Sequence, residues 1–304
     1  MANSITKAET YLPILDGIYR QEARTALLEA ANSNVRFLGG NAVELFKTSI
    51  DGLADYARNT GFVSGAVTGT WEKLTLAKDR GTEFLVDNMD NEETLGMAFG
   101  TLAGEFLRTK VIPEVDAYRF ATLGNWTGVT AATAADITVG TTDVPALIDA
   151  AQESLSDSEV PYEGRILFVS EKCYSGLKNK LTRTILNGEN GINREVETFD
   201  GAVVVRVPKN RFCDSITLNN GSSKFGYTIA STAKPFNFIL CHPSAVVAVT
   251  KHAMPRIFTP EQYQKADAYS FQYRIYHDLF VEDNKVNGIY VHKAATAIGT
   301  AIDC

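Results

Sequence analysis

EETLGMAFGTLAGEFLRTKVIPEVDAYRFATL, residues 92–123, is the stretch whose reading decides the fold. Acidic residues (Asp87, Asp90, Glu92, Glu93) gather at its entrance, where they favour the positive end of a helix dipole. Leu95, Phe99, Leu102 and Phe106 then recur at spacings of four, three and four, which predicts a helix with one apolar core stripe. Pro113 lies inside this pattern. It lacks an N–H and its ring crowds the preceding turn, so it should kink the helix nearby. We read it as a bend within one long helix, not its end. Nothing in the stretch looks catalytic; its information is architectural.

Working outward, residues 1–34 read as a polar arm carrying a helix, with Leu27, Leu28, Glu29 and Ala30 among good helix formers that lack an apolar stripe of their own. Such a segment needs a neighbour to pack on. Residues 35–86 change character. Short alternating pieces (35–40, 41–47), the strand-like run around Trp71, Leu74 and Leu76, and glycines at 61, 65, 69 and 81 predict a glycine-punctuated β hairpin. With so little apolar content it would be marginal alone in water, so it reads as an arm laid over another surface.

Beyond the long helix, residues 124–142 are rich in Ala, Thr and Gly and read as a connection. A second helix is expected from Thr142 or Asp143, with Pro145 in its first turn and Leu147, Ile148, Ala151 and Leu155 on one face. Residues 165–169 and 202–207 are apolar strand candidates, and Ser170 is placed to cap a helix through Glu171–Lys180. Strand alternating with helix predicts a mixed α/β module. Residues 236–241 make another strand, and 244–251 a short helix after Pro243. Tyr269, Phe271, Tyr273 and Ile275 alternate with polar neighbours. This predicts a long closing hairpin in which residues 282–288 turn and Ile289 to His292 return.

The composition bounds the function. At 45% hydrophobic and 21% charged, 304 residues suffice for a sizeable folded core. A net charge of −7 argues against a general nucleic-acid binder, which would carry a clustered basic face. It suits a protein that stays near DNA without sticking, and mild acidity also aids solubility. The N-terminus has no basic run followed by an apolar one, so no secretory signal is expected. No apolar run approaches ~18 residues, so no transmembrane helix is expected. Cys173, Cys213, Cys241 and Cys304 are scattered without a CxxC pair, the usage of buried thiols in a reducing cytoplasm.

Catalytic patterns are missing. There is no GxGxxG after a strand, no GxxxxGK[ST] and no HExxH. His242, His252, His277 and His292 are not spaced as a metal set, and Ser64 lacks the setting of a nucleophile elbow. His277 and Asp278 beside Arg274 resemble part of a catalytic set but read better as the polar end of a strand. The acidic run from Asp87 lacks the glycine and the terminal glutamate of a calcium loop. We therefore expect no enzyme activity, no cofactor and no metal.

The order of parts, with the phrases at 90–94, 111–119, 242–247 and 273–281, resembles the major capsid protein of tailed bacteriophages (Caudoviricetes), the Hong Kong 97-type capsid fold. The resemblance implies an α+β chain in four parts. These are an N-terminal arm (1–34), an extended β arm or E-loop (35–86), a peripheral domain with the spine helix (87–123 and 243–304) and an α/β axial domain (124–242). It implies a major capsid (head) protein, a structural protein that self-assembles as hexamers and pentamers into an icosahedral shell. The shell would enclose double-stranded DNA without sequence-specific binding, with no membrane.

On that resemblance the β arm meets a neighbouring subunit through Phe62, Trp71, Leu74, Leu76, Lys78 and Arg80, while Leu95, Phe99, Leu102 and Phe106 form the spine-helix core. A long helical pre-segment is absent: either it has been removed or a separate scaffolding protein guides assembly in the bacterial host cytoplasm, and because the chain begins at Met1 the separate scaffold is the favoured expectation, alongside a portal. The product is a virion capsid. An encapsulin-like nanocompartment shell is the alternative, and an α/β enzyme of unrecognised type the further one.

Overall fold

The computed structural model describes residues 23–29, 35–38, 42–56, 58–59, 61–93, 97–180 and 195–304. Numbered along the chain, the helices are α1 (Ala26–Glu29), α2 (Asn88–Glu93), α3 (Met97–Phe106), α4 (Ile112–Gly124), α5 (Val144–Asp157) and α6 (Glu171–Lys180). The strands are β1 (Val35–Leu38), β2 (Ala42–Ile50), β3 (Val67–Thr75), β4 (Lys78–Asp87), β5 (Thr130–Ala131), β6 (Ile166–Ser170), β7 (Thr198–Phe199) and β8 (Ala202–Val207). They continue with β9 (Ile216–Leu218), β10 (Tyr227–Ile229), β11 (Phe236–Cys241), β12 (Val246–Phe258), β13 (Ala268–Val281), β14 (Ile289–Lys293) and β15 (Ile302–Asp303). The described strands form four sheets: β1-β2-β3, β12-β13-β4, β5-β14-β11-β6-β8-β7 and β15-β10-β9.

Pro113 does not end the long helix. A π turn, Leu107–Val111, joins α3 to α4, and the Ile112 N–H reaches back to the Leu107 carbonyl. The wider turn places Pro113 in the first turn of α4, where its missing N–H costs nothing. At the helix entrance, the Asp87 carboxylate accepts from the Met89 N–H at 2.9 Å. Ala103, Leu107, Val111 and Val115 pack on Phe271, Tyr273 and Ile275 of β13, with Leu102 and Phe106 beside them. Phe106 meets the Phe84 ring edge-on at 4.9 Å. Leu95 lies outside the described residues, as does the side chain of Phe99.

The other end of the helix belongs to a different core. Phe120 and Leu123 pack with Ile166, Phe168, Phe212 and Ile239 under the six-stranded sheet. Gly124 closes the helix so near Phe236 that a Cβ there would lie 2.2 Å from the ring. One helix thus ties the three-stranded β12-β13-β4 sheet to the six-stranded one. On the far face of the six-stranded sheet, Ile148, Ala151 and Leu155 of α5 and Cys173 and Leu177 of α6 cover Leu167, Val169, Phe238 and Leu240. β6 and β8 run parallel across the α6 crossover, and the Ser170 hydroxyl accepts from the Cys173 N–H at the start of α6.

Residues 23–29 find the neighbour that their composition calls for. Fully buried Asp116 accepts from the Arg24 and Thr25 N–H groups at 3.0 and 3.1 Å and from the Thr25 hydroxyl at 2.7 Å. Fully buried Arg119 donates to Thr25, Glu29 and Thr250. Leu28 sits in the core with Phe120.

Two expectations are corrected. Residues 246–251 are strand, not helix: Pro243–Ala245 makes a single 3₁₀ turn, and the β-branched run Val246, Val247, Val249 then enters β12. The closing hairpin is also different. β13 already has β12 on one edge and β4 on the other, so residues 283–288 form a 3₁₀ segment that carries the chain across to pair β14 with β11. In addition, β4 leaves the arm and pairs with β13 over ten residues, from His277↔Lys78 to Ala268↔Asp87.

At the junction of β4, β13 and α4 lies a polar cage. His277 is buried, meets the Tyr118 ring edge-on at 5.5 Å, and has no hydrogen-bond partner for either ring nitrogen among the described residues. Next to it, Asp278 is saturated by the Tyr118 hydroxyl (2.7 Å), the Ala77 N–H (2.8 Å) and the Leu279 N–H (2.9 Å). Burial first, then the charges of Arg119, Arg80 and Lys78, push the His277 pKa down to about 3.

Candidate assembly surface on the β arm

β2 and β3 pair antiparallel over nine residues, from Ala42↔Thr75 at the root to Ile50↔Val67 near the tip. Nine residues at ~3.3 Å each carry the tip roughly 30 Å from the root. The root is apolar and anchored: Val43, Leu45 and Leu76 are buried against Val247, Val249 and Phe280. Lys47 pairs with Glu72 and, at 3.0 Å, with Asp283, so it fixes the arm to the 3₁₀ segment; the hydrogen bond to Glu72 raises its pKa first.

Above the root the arm is apolar and uncovered. Phe46, Ile50, Val67 and Trp71 are exposed along the strands, and Leu53, Tyr56, Phe62 and Val63 at the tip. Phe46 and Trp71, directly opposite in register, hold their rings 4.9 Å apart. Gly69 gives the Phe46 ring its place: a Cβ there would lie 2.6 Å from it. Tyr56 and Phe62 form a second ring pair at 4.9 Å. Burying each such side chain is worth roughly 1.5–3 kcal/mol, so leaving eight of them exposed forgoes a large stabilisation.

The residues predicted for this surface separate into two groups. Phe62 is 90% exposed and Trp71 52%. Leu74 rests against the root cluster and Leu76 is buried within it, because the strand pattern turns inward at the root. Lys78 lies over the Tyr118 ring at 5.3 Å, and Arg80 is paired with Glu114 at 2.7 Å, both inside the subunit. Phe46, Ile50, Leu53, Tyr56, Val63 and Val67 were not anticipated. The alternation of Phe46, Thr48 and Ile50 carried the signal for the first two.

The polar groups elsewhere read as structural. His242 bonds Ser244 at 2.7 Å and His292 bonds Asn237 at 3.0 Å. All four cysteines are free thiols, and burial pushes those of Cys173, Cys213 and Cys241 up to about 12. Among the described residues no group of His, Cys, Asp or Glu is disposed to hold a metal, and no helix is long and apolar enough to cross a membrane.

No family model matches the chain, and no curated protein matches it in sequence. Solved structures match its fold. The capsid of the cyanophage P-SCSP1u is 14% identical, over 86% of this chain and 85% of that one, with a TM-score of 0.57. The mature capsid of bacteriophage PhiM1 is 13% identical, over 84% and 82%, with a TM-score of 0.54. A virus-like particle from Pyrococcus furiosus is 14% identical, over 92% and 95%, with a TM-score of 0.50. The chain therefore has the mixed α+β fold of phage capsid proteins.

Proposed function

We propose that the chain is the major capsid protein of a tailed bacteriophage, a non-catalytic shell subunit whose copies close around double-stranded DNA. The observation that carries this reading is the anchored arm with an apolar surface that the described residues leave uncovered, on a fold shared with phage capsids. Obligate shell contacts bury roughly 2,000–5,000 Å² in general, and an arm of this kind supplies such area at the cost of being unsatisfied alone. The division follows the Hong Kong 97 pattern. Residues before 35 are the N-terminal arm and the β1-β2-β3 sheet is the extended arm. The spine helix with β12-β13-β4 is the peripheral domain, and the six-stranded sheet with α5 and α6 is the axial one. Hexamers and pentamers, a scaffolding function, a portal and a virion location belong to the same proposal.

The test is negative-stain microscopy of the purified protein, alone and co-expressed with its scaffolding protein. Uniform shells, rings or tubes are expected; a stable monomer under both conditions overturns the reading. Replacing residues 46–71 by a short Gly-Ser turn should leave a folded subunit that no longer assembles, because the buried root residues Val43, Leu45 and Leu76 are kept and only the exposed Lys47–Asp283 pair is lost from the anchor. Likeness to the Pyrococcus particle supports a second reading, a compartment around protein cargo. Nucleic acid inside purified particles favours the first, a co-purifying enzyme the second.

A further inference from the structure

Of the four thiols, Cys213 and Cys304 share one small core, with Ala117, Tyr227, Ile229 and Ala233 beneath the β15-β10-β9 sheet. Cys173 and Cys241 lie in two other cores, on opposite faces of the six-stranded sheet. The Cys213 thiol is buried and donates to the Lys209 carbonyl at 3.3 Å. Cys304 continues the pairing of Thr228 with Asp303, its N–H donating to the Tyr227 carbonyl at 3.0 Å. Opposite residues of a ladder share a face, so the Cys304 side chain turns toward the same core. Tyr227 spans the two. Its hydroxyl donates at 3.0 Å to the carbonyl of Asn210, in the same 3₁₀ turn as Lys209, and also meets the Cys304 side chain.

The two thiols differ in access. Cys304 is partly exposed and lines a groove of about 910 Å³ beside α4, whereas Cys213 is buried. We infer that Cys213 and Cys304 form an intrachain disulfide when the chain meets a small-molecule disulfide, tying residues 302–304 to the turn after β8. This goes beyond the shell reading, which neither needs nor predicts it. A disulfide requires Cα atoms within about 7 Å. β15 is two residues long and pairs with β10 alone, so few bonds oppose the shift that brings Cys304 in. The reachable Cys304 thiolate attacks one sulfur of the small disulfide, whose S–S bond breaks and releases a first small thiol. Cys213 then attacks the Cys304 sulfur of the mixed disulfide and expels the second. The protein thiols give up two protons and two electrons, and two small thiols carry them away. Burial pushes the Cys213 thiol up to about 12, so the second step is the slow one.

The test is incubation of the full chain with oxidised glutathione at pH 8, followed by unfolding in excess N-ethylmaleimide and digestion without reductant. Two of the four thiols should escape alkylation, and mass spectrometry should find the peptides containing residues 213 and 304 joined. Four alkylated thiols, a lasting glutathione adduct on Cys304, or a link between Cys304 of two chains each overturn the inference. Cys213→Ser should trap the glutathione adduct on Cys304, and Cys304→Ser should leave its three remaining thiols reduced; oxidation of Cys213 in the second variant overturns the order of attack. A link from 213 to 304 closes a loop of about 90 residues and should raise the melting temperature by about 5 °C, reversed by dithiothreitol. A linked chain that melts where the reduced one does refutes the tie.

Discussion

His277 should make the subunit acid-labile, and the size of the effect follows from its cage. The folded-state pKa is about 3, against an ordinary value of 6.5 that the unfolded chain recovers. Between those values the unfolded state binds a proton that the native state refuses, so stability is complete above pH 6.5 and falls as pH drops through it. At about 1.36 kcal/mol per pH unit, with partial titration near 6.5, lowering the pH from 7.5 to 5 costs about 2 kcal/mol. The side chain is 1% exposed, so solvent screening takes little from this figure. It is a substantial part of the 5–15 kcal/mol that holds a typical domain together.

His277→Phe isolates the effect, because it keeps an aromatic ring against Tyr118 and removes both unpartnered nitrogens. At roughly 2.1 cal/mol/K of unfolding entropy per residue, 2 kcal/mol moves the melting temperature of a 304-residue chain by about 3 °C. Calorimetry of the arm-shortened subunit at pH 7.5 and 5 is the assay. The wild-type drop between the two pH values should exceed the variant's by about 3 °C. Equal drops would mean that the ring is hydrated or paired in solution, and the cage argument fails.

Four further substitutions probe separate links. Leu76→Ala removes a side chain buried at the arm root and should destabilise the subunit by about 2–5 kcal/mol, whereas Trp71→Ser on the exposed stretch should stay within about 0.5 kcal/mol yet abolish assembly; calorimetry and light scattering separate the two. Gly124→Ala drives a methyl group into the Phe236 ring and should cost about 1–3 kcal/mol in denaturant unfolding. Asp116→Ala leaves Arg211 and the amides of residues 24 and 25 without their acceptor. A loss of about 3–5 kcal/mol is expected, with fast hydrogen exchange at those two amides.

What the sequence made legible was whatever depends on local period. The long helix was readable from its 3.6-residue stripe, and so were α5, α6, β6, β8 and β11 from caps and apolar runs. The π turn was not, because a buried row at 103, 107, 111 and 115 steps by four throughout, and only the backbone shows the wider turn. Val246 to Val249 is a short apolar run that period cannot assign, and strand won through its pairing with Val281, Phe280, Leu279 and Asp278. The polar run at 282–288 carries the same signal whether it turns back or crosses to another sheet. The outcome depended on which edges of β13 were free, a tertiary fact.

The same limit explains the arm. Trp71, Leu74 and Leu76 look alike in sequence, yet Leu76 is buried and Trp71 stands in solvent, because the hairpin crosses the boundary of the subunit between them. Apolar content marks a residue as wanting burial without saying in whose core. Residues that satisfy it at home and residues that leave it unsatisfied are separable only once the fold has allotted the space. The set that the described residues leave in solvent is Phe46, Ile50, Leu53, Tyr56, Phe62, Val63, Val67 and Trp71.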